Sequence, residues 1–192
     1  MNGDVVVYKT GEQHMQARGQ LMIEHRLIEQ MISIIQDTLP LVEEAQKIDP
    51  LFIDKAVDFI RIYADRTHHG KEEEILFRAL DDKDLSDEDR RVMNELVKEH
   101  DFGRKNIKAL IKANTLYRNG RTWAFGDIKN CLRAFVDFYP KHIEKEDKVF
   151  FPASRAYFSD AEDQAILAEF WEFDRKMIHE KYRSVVHALK EK

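Results

Sequence analysis

Two stretches of this chain, 74 residues apart, are variants of one pattern: HHGKEEEILF begins at His68 and HIEKEDKVFF at His142. Within them His, Lys, Glu and Phe recur at offsets 0, 3, 4 and 9. Upstream of each stands the same dipeptide, Glu24-His25 and Glu99-His100, and Ser86 recurs as Ser159. A weaker third echo, Glu172-Phe173-Asp174, matches Glu99-His100-Asp101 with Phe in place of His. A duplicated unit therefore underlies the fold, and apolar spacing identifies it. Leu21, Met22, Ile28, Ile32 and Ile35 share one helical face with His25, as Met93, Leu96, Val97 and Ile107 do with His100. Each unit is a helix pair that supplies one His from its first helix and a His-x-x-x-Glu from its second.

Punctuation agrees with long helices. Seven Gly and four Pro in 192 residues are too few for the frequent turns of an all-β sandwich or barrel. The spacing predicts a first helix from Gly11 to Leu39, ended by Pro40, and a second from Pro50 to Leu80. Asp49 serves as N-cap of that second helix, and Pro50 as its first residue. Ser86 caps a third helix that stops near Asn119-Gly120. A fourth covers roughly Thr122 to Tyr157, and Ser159 with Glu162 forms a capping box opening a fifth. The acidic run Asp81–Asp89 reads as a solvated turn, because Ser86 stands where a calcium loop needs Gly. The expected architecture is all-α: an antiparallel up-down four-helix bundle with an additional C-terminal helix. One domain spans 1–192, its core bundle about 11–158 and its extra helix about 159–190.

Charge narrows the function. A formal net charge of −5 with no basic block disfavours a sequence-independent nucleic-acid binder. No apolar run approaches the roughly 20 residues of a membrane span, and MNGDVVVYKTGEQ does not read as a secretory signal. The lone Cys131 excludes an internal disulfide framework and a Cys-rich zinc site, and reads as a core thiol. The expectation is a cytoplasmic protein without nucleic-acid or membrane partners; the sequence leaves the oligomeric state open.

Eight histidines then become the central question. Residues i and i+4 lie on the same face of a helix, so His68 with Glu72, and His142 with Glu146, aim an imidazole and a carboxylate at one point. Two such units packed antiparallel converge His25, His68, Glu72, His100, His142 and Glu146 near a pseudo-twofold axis, which points to a metal. His68 and His69 compete for one position, since Glu72 and Glu73 follow each by four. Phe77, nine after His68 as Phe151 is nine after His142, favours His68 and Glu72, leaving His69 and Glu73 on the flank. His14, His179 and His187 fall outside the repeat and read as surface residues. The Glu-x-x-His pairs of ferritin-like di-iron proteins are absent, as is the His-Glu-x-x-His of zinc proteases.

EHRLIEQ at Glu24, HHGKEEEILF at His68, EHDFGR at Glu99 and HIEKEDKVFFP at His142 together resemble the hemerythrin-like HHE cation-binding family, over roughly residues 11–158. The resemblance implies two non-haem iron ions joined by an oxo or hydroxo bridge. Carried over by position, His25, His68, His100 and His142 become the imidazole ligands and Glu72 and Glu146 the bridging carboxylates. Such donors also suit manganese or zinc. Dioxygen-carrying members place a second His four residues after the third-helix His, where this chain has Arg104, and close the site with an Asp five residues after the last His, where Asp147 stands beside Glu146. Internal symmetry favours Glu146. The resemblance thus implies a protein that binds or senses dioxygen, nitric oxide or iron. The alternative is a di-iron enzyme acting on peroxide or nitric oxide, or an iron donor for iron–sulfur repair. The fifth helix, with Phe173 at the His position, is expected to pack an apolar stripe of Ile166, Phe170, Phe173 and Met177 and to supply no ligand.

Overall fold

The computed structural model describes residues 15–190. Residues 11–14, the expected start of the first helix, and with them His14, lie outside that range. The described residues are helical with short connections and contain no strand. Helix α1 is Ala17–Ala45. Helix α2 covers 50–81, built of Pro50–Asp58, Phe59–His69, Glu72–Phe77 and Arg78–Asp81 in an unbroken run. Helix α3 is Asp87–Arg118. Helix α4 covers 124–155, as Ala124–Lys145, Glu146–Phe150 and Phe151–Arg155. Helix α5 is Asp160–Lys190. No helix among the described residues is long and apolar enough to cross a membrane.

The helix starts follow the local chemistry of the sequence. Asp49 Oδ1 accepts the Leu51 amide at 2.9 Å ahead of Pro50. Ser86 Oγ accepts the Asp89 amide. Ser159 Oγ accepts the Glu162 amide while the Ser159 amide donates back to Glu162 Oε2 at 2.8 Å, the reciprocal capping box. One expected boundary moves. Pro40 does not stop α1, which continues to Ala45 and ends at Gln46 in the left-handed region, φ 50°. Pro40 and Gln36, the residue whose carbonyl loses its donor, are both on the exposed side, where water takes the place of the missing hydrogen bond.

Three segments, Phe59–His69 and Glu72–Phe77 in α2 and Glu146–Phe150 in α4, are wound as π-helix. Such wide turns are uncommon and concentrate at functional sites. They flank the positions where the apolar pattern is interrupted. On α1 the buried sequence runs Ala17, Leu21, then Glu24 and His25, then Ile28, Ile32 and Ile35. Each of α2, α3 and α4 likewise changes from apolar to polar and back. The result is two apolar clusters with a polar layer between them. Ile28, Ile35, Leu110, Ile128, Leu132 and Phe135 belong to one; Leu21, Leu76, Leu96, Phe150, Phe151 and Phe170 belong to the other. Fully burying each such side chain stabilises the fold by about 1.5–3 kcal/mol, and this sandwich keeps water from the histidines. Helix α5 lies against α1 and α2. Its Ile166 and Phe170 are buried in the second cluster, with Phe173 packed at the edge.

Candidate metal centre

The polar layer gathers seven side chains with almost no solvent contact: His25, His68, His69, Glu72, His100, His142 and Glu146. Their donor atoms fall into two groups. His25, His68, Glu72 and Glu146 form one, and His69, His100 and His142 the other, each compact enough to hold a metal ion. The two glutamates reach both groups. Glu72 Oε1 lies 3.5 Å from His68 Nε2 while its Oε2 lies 3.4 Å from His100 Nε2. Glu146 Oε2 lies 3.2 Å from His25 Nε2, and its Oε1 lies 3.2 Å from His142 Nε2 and 3.6 Å from His100 Nε2.

His69 is not on the flank. It is 2% exposed, and its ring stacks on His100 with centroids 3.9 Å apart. The wide turn of Phe59–His69 explains the difference. A π-turn spreads more residues over each revolution, so the angle between successive side chains shrinks and His68 and His69 can both face inward. At the equivalent place in the second repeat stands Ile143, which packs into the apolar core. Glu73 does stay off the layer's centre, and Arg104 joins it there, donating to Glu73 Oε1 at 2.7 Å and to Asp65 Oδ1 at 2.8 Å.

Behind each imidazole stands a carboxylate on its Nδ1. Glu24 Oε2 is 2.9 Å from His68 Nδ1, and Glu73 Oε1 is 2.6 Å from His100 Nδ1. Glu99 Oε2 is 2.8 Å from His142 Nδ1, and Asp147 Oδ1 is 2.7 Å from His25 Nδ1. These four bonds make a closed ring of helices: α1 serves α2, α2 serves α3, α3 serves α4, and α4 serves α1. Asp65 faces His69 Nδ1 more loosely, at 3.5 Å. Aromatic rings follow the same logic. Phe77 from α2 stacks on His100, and Phe151 from α4 stacks on His25. A carboxylate on Nδ1 fixes the tautomer that carries its proton there and leaves Nε2 as a lone-pair donor.

That tautomer makes the layer's interior a concentration of acceptors. None of the four carboxylate oxygens of Glu72 and Glu146 has a hydrogen-bond partner among the described residues, nor do His100 Nε2 and His142 Nε2. His25 Nε2 and His68 Nε2 face one another at 2.8 Å, a separation at which two lone pairs repel unless a proton or a cation lies between them. Leaving buried acceptors unsatisfied costs about 1–3 kcal/mol each, so the arrangement fits a cation that takes all of them.

The titration of the site reflects the same crowding. Burial, then the charge of Glu146, pushes the Glu72 carboxyl well above its ordinary value. Burial pulls Glu146 the same way, but His142, His100 and His25 outweigh it and hold the group well below the carboxylate range. For His25, burial favours the neutral ring, yet Asp147 and Glu146 win and raise it to about 9. Burial and the neighbouring His100 drop His69 to about 3. A cation entering here therefore displaces protons.

The six residues singled out from the repeat, His25, His68, Glu72, His100, His142 and Glu146, all lie in this layer. His69 was missed, although the doubled His with a Glu four residues after each was a visible sign. The Nδ1 partners were missed too, although their sign was in the repeat: an acid immediately before His25 and His100, and an acid immediately after Glu72 and Glu146. His179 and His187, read as surface residues, are exposed, and Cys131, read as a core thiol, is buried.

Helices that wrap a buried layer of imidazoles and carboxylates, each imidazole oriented by its own acid, define a class of protein built to hold cations. The sequence matches the hemerythrin HHE cation-binding domain over residues 17–189, and the chain belongs to that family. No curated protein and no solved structure matches it.

Proposed function

We propose that this is a hemerythrin-like protein holding a dinuclear non-haem iron centre that binds or senses a small ligand, dioxygen or nitric oxide, or iron itself. In this reading α1 to α4 form the antiparallel bundle of a single domain in a cytoplasmic protein, and α5 is the added helix. His25 and His68 would hold one iron, His69, His100 and His142 would hold the other, and Glu72 and Glu146 would offer a carboxylate oxygen to each. The observation that carries it is the set of unsatisfied Glu72 and Glu146 oxygens, each carboxylate directed at imidazoles of both groups.

Iron in such imidazole and carboxylate donors supplies a redox-active cation with room for a further ligand. The chain's own residues decide where that room lies. Two imidazoles and two carboxylate oxygens give one side about four donors, and three imidazoles with the other two oxygens give about five, against about six positions on each ion. The His25–His68 side is the more open. The Nδ1 carboxylates keep the protons on the outer nitrogens, and Phe151, Phe77 and the two apolar clusters exclude bulk water.

Metal analysis of the full chain purified without chelator tests the reading. About two irons per chain are expected. One zinc per chain from iron-replete cells would contradict it. Reversible ligand binding without turnover of peroxide would separate the binding role from an enzymatic one.

A further inference from the structure

The two repeats extend their outer contacts differently. In the second, Lys145 donates to Glu99, the acid behind His142, and also to Glu95 one turn earlier on the same helix. Lys145 and Glu99 are about a quarter exposed. In the first, the equivalent Lys71 is completely buried and donates to Glu24, the acid behind His68. Its second acceptor is not on α1 at all. It is Asp174 Oδ1, on α5, at 2.7 Å. The neighbouring Phe173 lies over Gly70, where an added Cβ would come within 2.8 Å of Phe173 Cζ. Helix α5 is thus seated directly on the turn of α2 that carries His68, His69 and Glu72, and it reaches the pocket by an unbroken line: Asp174, Lys71, Glu24, His68.

We propose that Asp174 is a positioning residue of the metal pocket: through Lys71 and Glu24 it holds the His68 imidazole, so that α5 sets the hold on the cation at the His25–His68 side. The proposal rests on the dinuclear reading above. Glu24 divides its charge between His68 Nδ1–H and Lys71, while Asp174 takes part of the Lys71 charge. Without the Asp174 charge, Lys71 leans wholly on Glu24. Glu24 then accepts less strongly from His68, and Nε2 becomes a weaker donor to the metal. A buried lysine with two acids can act in this way because low local polarity keeps its contacts unscreened.

The test is a chelator titration of the iron-loaded full chain, with thermal melts of the same samples. Asp174→Asn should release one of its two irons at about tenfold lower chelator concentration, the lower end of the range for outer partners of metal ligands. Asp174→Glu should restore the wild-type curve. Phe173→Ala loosens the same helix without touching the line; it should melt earlier but keep its iron as the wild type does. With zinc in place of iron, the His68 Nδ1–H proton resonance should move upfield in Asp174→Asn alone. Wild-type iron retention in Asp174→Asn, or equal iron loss in Phe173→Ala, would overturn the proposal. A wild type that carries a single iron would contradict the dinuclear reading instead, and the positioning role would then be judged by whether Asp174→Asn weakens that one ion.

Discussion

The two sides of the polar layer come from one duplicated unit, yet they differ in the number of imidazoles and in the contacts of their lysines. One side has His25 and His68; the other has His69, His100 and His142. The inner difference traces to a single position, where the first repeat has His69 and the second has Ile143. The outer difference traces to the lysine of each repeat. Lys71 is sealed under α5 and bonded to Asp174, whereas Lys145 stays within α3 and α4 and remains partly open to water. Duplication supplies a symmetric frame of four helices and two buried carboxylates, Glu72 and Glu146. Departures from the repeat make one side richer in imidazoles and bring the other into contact with the added helix.

That contrast can be broken from several directions, and the two buried glutamates should produce the largest effect. Glu146→Ala removes oxygens directed at both groups, and metal analysis should find both irons lost. His69→Ile copies the second repeat into the first and should equalise the sides. About one iron should be held as in the wild type and the other lost more readily, as chelator titration would read. Asp147→Ala leaves the interior intact and deprives His25 of its Nδ1 acceptor. It should keep metal at saturation while weakening affinity by about 10–100-fold. Loss of both irons at saturation would mean that Asp147 is itself a ligand.

The smallest effect lies far from the polar layer, at the start of α5. Glu162 is held at about 2 by Lys83 and by the Ser159 amide and hydroxyl. A carboxylate lowered in the folded state adds stability above its unfolded value and loses it as pH falls toward the folded one. Glu162→Gln should therefore melt slightly earlier than wild type at pH 7, and the gap should narrow as pH drops below about 4.5. A gap that widened in acid would exclude the capping role.

Much of this was legible in the residues. Helix starts at Asp49, Ser86 and Ser159 follow from side-chain chemistry that acts over three or four positions, and so does the pairing of His68 with Glu72. What escaped depends on longer-range geometry. The inward turn of His69 needs a π-wound segment, which an α-helical wheel cannot represent. The continuation of α1 past Pro40 depends on which way that turn faces. The four acids bonded to His25, His68, His100 and His142 escaped for a different reason: each serves a histidine on the neighbouring helix. Glu24 sits beside His25 in sequence but bonds His68, and Asp147 sits beside Glu146 but bonds His25. The helix-to-helix ring of acids and imidazoles emerges only when all four helices are placed.

Under the proposed function the layer holds two inequivalent irons, one with two imidazoles and one with three. Mössbauer spectroscopy of the 57Fe-loaded full chain addresses it most directly, because each iron environment gives its own quadrupole doublet. Two doublets of equal area are expected in the wild type, merging toward one in whatever dinuclear fraction His69→Ile retains. A wild-type spectrum with a single doublet at two irons per chain would contradict it.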